Sequence, residues 1–235
     1  MTTESGAKPG NNDVAAFEPA RRSARAWATF AVSALIALAI DLWSKYVAFE
    51  HVAGAPVAFT REQVLAAGPS RLQTLIPRHE PVVVIPDVLN FQLVLNAGAV
   101  FGAGQGRRWF FVLFTLAALG VATFMFARWT DRRQWLSHVC LGLVLAGGLG
   151  NLYDRLVYAC VRDFLHPLPT AQLPFGLRWP GGDSALWPYV SNVADAFLIV
   201  GIGGLLIAMW RADSASRQRA GPASGSDAPG PSAQP

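Results

Sequence analysis

The chain has 235 residues, 52% of them hydrophobic and only 14% charged, with a formal net charge of +4. Soluble domains carry about 25% charged residues, so this composition excludes a soluble enzyme and points to a polytopic membrane protein. No basic run is interleaved with aromatics, which argues against nucleic acid as a partner, and Cys140 and Cys160 have no metal-ligand spacing and read as small apolar fillers.

In chain order, residues 1–25 form a tail that opens with Gly, Ala, Asn, Pro and Glu, has no apolar period and is expected to be disordered. A membrane domain follows over 26–210 with four apolar segments. The first, about 26–48, comes after Arg21, Arg22 and Arg25, as the core of a signal peptide follows its basic region. It is long for a signal and ends at Asp41 and Lys45 rather than at a small-residue cleavage site, so it reads as a retained span. In the stretch 49–108, Val82 to Leu95 is rich in β-branched residues, is broken by Pro86, and alternates Phe91, Leu93 and Leu95 with Gln92, Val94 and Asn96. That pattern predicts short strands on the membrane surface with Pro86 at an edge or bend. Residues 50–81 lack apolar regularity and are expected to be either a weakly packed lid over a site or an inert insertion.

The second and third segments, about 109–127 and 135–153, are joined by a short link holding Arg128, Arg132 and Arg133. Residues 154–189 form another outer stretch, irregular over 165–188 because of Pro167, Pro169, Pro174, Pro180 and Pro188. The fourth segment, about 190–210, precedes a Ser-, Ala-, Gly- and Pro-rich tail over 211–235, also expected to be disordered. Each segment is near the ~20 residues that cross a bilayer. Trp43, Trp109, Trp129, Trp135, Trp187 and Trp210 fall near segment ends, as interfacial anchors do. The arginine-bearing flanks and link go to the cytoplasm, with 49–108 and 154–189 outward; Arg107 and Arg108 run against this orientation and are outvoted.

The polar clusters all fall at the outer ends of the segments. Asp41 and Lys45 are four residues apart on one helix face, Asn151 and Arg155 are one turn apart, and Asn192 and Asp195 open the fourth span. Asn96 ends the strand region, and Asp163 follows the third span. Singly, each has a plain reading: Asp41 and Lys45 as an interfacial ion pair, Gly147, Gly148 and Gly150 as a helix-packing stripe, and Asn192 as interhelical glue. Asp154, beside Arg155, reads as a structural or solvated partner. Together they converge on one depth. Ionisable groups there carry a function by default, and two carboxylates that can meet suggest proton-sharing aspartyl hydrolysis.

The motifs DLWSK at 41–45, NAGAVFG at 96–102, GGLGNLYDR at 147–155, VRDF at 161–164 and NVAD at 192–195 resemble, in order and over about 26–210, bacterial lipoprotein signal peptidase, or signal peptidase II. The resemblance implies an α-helical membrane protein with four transmembrane helices and a small extracytoplasmic β-rich subdomain. It implies Asp163 and Asp195 as the catalytic pair, supported by Asp41, Lys45, Asn96, Asn151, Arg155 and Asn192. It also implies an aspartic endopeptidase without metal or cofactor, cutting prolipoproteins before a diacylglyceryl-modified cysteine. Its partners would be lipidated prolipoproteins and membrane lipids, and it would act as a monomer in the bacterial inner membrane with both termini cytoplasmic. Two features depart from the family pattern: Ser191 stands where the family usually has Phe, and loops 50–81 and 165–188 are long.

Rival classes fit less well. A transporter or proton channel could relay protons through Asp163 and Asp195, but four spans show neither internal repeats nor broken central helices. A metalloprotease lacks H-E-x-x-H among His51, His79, His138 and His166, and a serine protease lacks Gly-x-Ser-x-Gly. A pure scaffold has no need of the polar cluster.

Overall fold

A computed structural model describes residues 17–98 and 107–220, the last six as backbone alone. Four helices are long and apolar enough to cross a membrane: α1 (Ala24–His51), α3 (Arg108–Trp129), α4 (Trp135–Val157) and α5 (Val193–Ala220). Between α1 and α3 lie α2 (Arg61–Arg71) and a hairpin of β1 (Val82–Ile85) and β2 (Leu89–Asn96); β3 (Val161–Pro167) follows α4. The motif residues 99–102 fall outside the described residues.

α4 is the hub. It packs on α1, α3 and α5, while α3 and α5 scarcely touch each other. Its most apolar stretch is 56% buried, against 17% for that of α3 and 11% for that of α5. The cause is its small residues. A Cβ at Gly147 would stand 2.5 Å from the Ala194 carbonyl oxygen on α5, and one at Gly148 would stand 2.7 Å from Leu119 on α3. One at Gly150 would overlap the Asp41 carboxylate on α1. The packing reading of this stripe holds, and the same stripe draws polar groups from three helices together. Gly147→Ala should therefore lower stability by about 1–3 kcal/mol, the range for overpacking, read as a lower midpoint of thermal unfolding in detergent; an unchanged midpoint would refute the tight contact. On the far sides of α1, α3 and α5, large apolar side chains such as Leu35, Leu113 and Leu206 are exposed, as bilayer-facing surfaces require.

The sheet is antiparallel in the order β1-β2-β3. β1 is the exposed edge expected from Pro86, and Asp87 turns the chain with φ 60°. β3, which the sequence pattern did not disclose, pairs Asp163 with Val94 and Val161 with Asn96. Alternation then sends Arg162 and Asp163 to opposite faces.

Residues 50–81 are better packed than expected. Thr60 and Gln63 form a reciprocal capping box that starts α2. Val57, Val64, Leu72 and Ile76 are buried in one cluster with Leu93, Leu95, Cys160 and Phe164. This stretch completes the core of the subdomain built around the sheet. Cys160 is a filler within it, and burial pushes its thiol up to about 12.

Both tails depart from expectation at their inner ends. Pro19 bridges Asp131, Ala20 is buried, and its N–H donates to the Thr130 carbonyl, so the chain is anchored before α1 begins. α5 continues to Ala220, past the apolar boundary near 210, because Arg211 to Ala220 holds neither Pro nor Gly to stop a helix. Residues 1–16 and 221–235 lie outside the described residues.

Candidate active site

The site forms where β3 and the first turn of α5 meet the C-terminal end of α4. Asn192 is the residue before α5, and Asp195 sits in its first turn. They cap each other: the Asp195 N–H donates to Asn192 Oδ1, and the Asn192 N–H donates to Asp195 Oδ2, both at 3.2 Å. This is the geometry of a capping box with Asn and Asp in the two roles. It leaves the Asn192 amide free to donate elsewhere. Its Nδ2 donates to Asp163 Oδ1 at 2.6 Å and to Asn151 Oδ1 at 3.1 Å. Asn151 Nδ2 donates in turn to Asp195 Oδ1 at 2.8 Å, and Asn96 Nδ2 donates to Asp163 Oδ2 at 3.0 Å. Three asparagines thus fix both carboxylates, and Asn192 touches both.

The two acids differ in environment. Asp163 is 2% exposed, whereas Asp195 is half-buried at the cavity wall. Burial, and next the like charge of Asp195, pushes the Asp163 carboxyl up to about 7, against the opposing pull of Asn192, Asn96 and Lys45.

Asp41 and Lys45 do not line the cavity. They lie behind it, fully buried, and so are not the interfacial pair of the plain reading. Lys45 Nζ donates to Asp41 Oδ2 at 2.9 Å and to Asn151 Oδ1 at 3.1 Å, and stands 3.4 Å from Asp154 Oδ2. Asp41 Oδ1 accepts the Ala194 N–H at 2.8 Å, which pins the start of α5 to α1. Asp154, expected to be a solvated or structural partner, has no exposure at all. Its Oδ1 accepts from Arg162 Nη2 at 2.8 Å and Nε at 3.2 Å, and its Oδ2 accepts the Arg162 N–H at 3.1 Å. Asp41, Lys45, Asp154 and Arg162 form a neutral buried quartet behind the dyad.

Arg155 faces the cavity. Its guanidinium donates to the Asn151 carbonyl at 3.3 Å and the Gly98 carbonyl at 3.2 Å, and lies 5.2 Å from the centre of the Phe111 ring. Ser191, in the position where Phe was expected, works through its backbone: it exchanges N–H···O=C bonds with Leu165 at 2.7 and 2.8 Å and accepts the Phe164 N–H. That clasp ties β3 to the start of α5, and the Ser191 hydroxyl adds a bond to the Leu165 carbonyl at 3.3 Å. Trp187, expected to be an interfacial anchor, is half-buried on the cavity wall 4.8 Å from Tyr189.

The cavity holds about 1100 Å³. Asp163, Asp195, Asn151 and Arg155 form its polar wall, and Phe114 and Ile199 are among its apolar lining. Phe114 is 64% and Ile199 57% exposed, so the cavity opens sideways between α3 and α5 toward the bilayer. Pro69, Leu72 and Gln73 reach it from the 50–81 stretch. None of the four histidines lines it, and among the described residues no cluster of three or more His, Cys, Asp or Glu could hold a metal.

Comparison with known proteins agrees with this architecture. Residues 32–211 match the family model of signal peptidase (SPase) II. The lipoprotein signal peptidase of Desulfitobacterium hafniense (strain DSM 10664 / DCB-2) is 38% identical over 140 residues, 59% of this chain and 80% of that one. That of Streptococcus agalactiae serotype V is 33% identical over 130 residues, 55% of this chain and 73% of that one. A bacterial membrane enzyme solved by the in meso method at 2.3 Å shares the fold, with a TM-score of 0.55 and 24% identity over 79% of this chain and 90% of that one. The chain therefore belongs to the signal peptidase II family, as a multi-pass membrane aspartic peptidase that removes signal peptides from prolipoproteins.

Proposed function

We propose that the chain cuts prolipoproteins immediately before a diacylglyceryl-modified cysteine, with Asp163 and Asp195 as the catalytic pair. One observation carries this reading: Asn192 bonds to both carboxylates, on the wall of a cavity that opens to lipid between α3 and α5. A substrate anchored by two acyl chains reaches the site from within the bilayer, its chains lying against Phe114 and Ile199.

The pair works with one shared proton, because two adjacent carboxylates do not both ionise readily. Asp163, the more buried member, is the acid. It donates a hydrogen bond to the scissile carbonyl oxygen, while Asp195 removes a proton from the attacking water. Water oxygen bonds to the carbonyl carbon, and the C–N bond then breaks as the departing amine takes a proton from the pair. Arg155 stabilises the oxyanion or orients the peptide backbone. Asp41, Lys45, Asn96, Asn151 and Asn192 are positioning residues, and Asp154 with Arg162 completes the frame behind them.

The test is cleavage by the purified full chain of a diacylglyceryl-modified prolipoprotein beside the same polypeptide without lipid, with product masses locating the cut. The expected result is one product beginning at the lipidated cysteine and a strong preference for the lipidated form. A cut elsewhere, or equal rates on both forms, overturns the proposal. No cofactor enters this chemistry, so EDTA should leave the rate unchanged; loss of cleavage restored by zinc would show a metal mechanism instead. The chain sits in the bacterial inner membrane with both termini cytoplasmic. In intact cells an impermeant thiol reagent should label Ser70→Cys and spare Arg133→Cys, both positions being exposed in the structure; the opposite pattern inverts the topology.

A further inference from the structure

The bundle carries a second cleft at the end away from the dyad. It holds about 360 Å³ between the first turns of α1 and α4, and Arg25, Thr29, Arg132, Arg133, Trp135 and His138 are among its lining residues. Arg25 precedes Asp41 by four and a half turns of α1, about 24 Å at 1.5 Å per residue, so the two sites lie at opposite membrane interfaces.

The cleft has an excess of positive charge. Among the described residues, no acidic side chain lines it. Two acids among the described residues sit beside it and are engaged: Glu18 pairs with Arg132 at 2.9 Å, and the Asp131 carboxylate accepts the N–H groups of Glu18 and Arg133 at 2.8 and 2.9 Å. Arg25 and Arg133 make no ion pair among the described residues. α4 begins at this cleft, and its preceding residue, Gln134, makes no side-chain cap. The positive end of that helix therefore adds to the field of the guanidinium groups.

The surroundings favour a lipid over a free anion. Trp135 is 65% exposed on the rim and Leu136 beside it is 40% exposed, so the basic cleft runs directly onto bilayer-facing apolar surface. A tryptophan at this level lies at the headgroup boundary, and basic pockets between membrane helices suit anionic headgroups.

We propose that this cleft binds the phosphate of an anionic phospholipid in the leaflet opposite the dyad. Arg25 and Arg133 contact the phosphate, Arg132 remains shared with Glu18, and Trp135 rests against the glycerol region while the acyl chains continue along the bundle surface.

The test is native mass spectrometry of the purified full chain in detergent with phosphatidylglycerol, phosphatidylcholine of the same acyl chains, or inorganic phosphate. The expected result is one retained phosphatidylglycerol, preferred roughly tenfold or more over phosphatidylcholine, as two interfacial arginines imply. The double variant Arg25→Gln/Arg133→Gln should lose that preference while cleaving prolipoprotein at the wild-type rate, which shows that it is folded. Raising salt on the wild type should weaken retention without any substitution. Equal retention of the two lipids, an undiminished preference in the double variant, or displacement of the lipid by millimolar inorganic phosphate overturns the proposal, the last by showing a free-anion site.

Discussion

Asp163→Asn and Asp195→Asn should each reduce kcat/KM on a lipidated prolipoprotein by about 10²–10⁴-fold, the scale of losing a positioned acid or base, with expression and membrane insertion unchanged. Size separates this from an indirect effect. Asp195 also caps α5 through Asn192, and a lost cap typically costs about 1 kcal/mol, roughly a fivefold change at the conversion of 1.36 kcal/mol per tenfold. A deficit of several hundredfold at Asp195 therefore cannot come from capping. Asp163 has no such second role, since its partners are the side-chain amides of Asn96 and Asn192, and asparagine keeps its volume. Near wild-type turnover in either variant would remove these residues from the chemistry.

The same pair sets a pH dependence. With Asp163 raised to about 7 by burial and by Asp195, the singly protonated pair is depleted above that pH, and kcat/KM should decline through it. Stability follows the same sign. A carboxyl raised from 3.8 to about 7 on folding contributes stability that is complete below its unfolded pKa and lost as pH rises through the folded value. The unfolding midpoint of Asp163→Asn relative to wild type should therefore improve from pH 5 to pH 8. A difference that stays flat over that range would mean that Asp163 ionises normally.

Much of this was readable from the residues. The four spans carry uninterrupted apolar runs, and their ends were misplaced mainly where charged residues continue a helix, as beyond Trp210 in α5. The hairpin was signalled by Val82 to Leu95 and its Pro86 break, whereas β3 was not: Val161–Pro167 mixes charge and apolar residues because its two faces meet a buried ion pair and the cavity. α2 was hidden for another reason. Its residues are mostly polar or small, and only Val64 within it is buried, so the capping box of Thr60 and Gln63 was the one local signal. The convergence of the polar residues followed from counting crossings. What counting could not supply was depth and pairing: Asp41, Lys45 and Asp154 lie behind the cavity, and Asn192, a supporting residue by resemblance, joins both aspartates directly.

Asp154→Ala is expected to be the most destabilising substitution outside the cavity. The residue is fully buried between two cations, 3.4 Å from Lys45 Nζ and 2.8 Å from Arg162 Nη2. Two positive and two negative side chains balance in the quartet, so removing one carboxylate leaves a net positive charge in a place water does not reach. Breaking a buried pair in this way costs about 3–5 kcal/mol, several times the value of an exposed pair. The backbone N–H of Arg162 also loses its acceptor, which loosens β3 one residue before Asp163. The variant should show a sharply lowered unfolding midpoint and poor recovery from membranes. Where it folds, cleavage should fall mainly in kcat, because the frame that orients the pair is disturbed while the lipid-facing wall of the cavity is not. Asp154→Asn keeps the shape and one acceptor and should be milder on both counts. An Asp154→Ala protein with wild-type stability would show that the quartet is hydrated, and the buried ion-pair account would then fail.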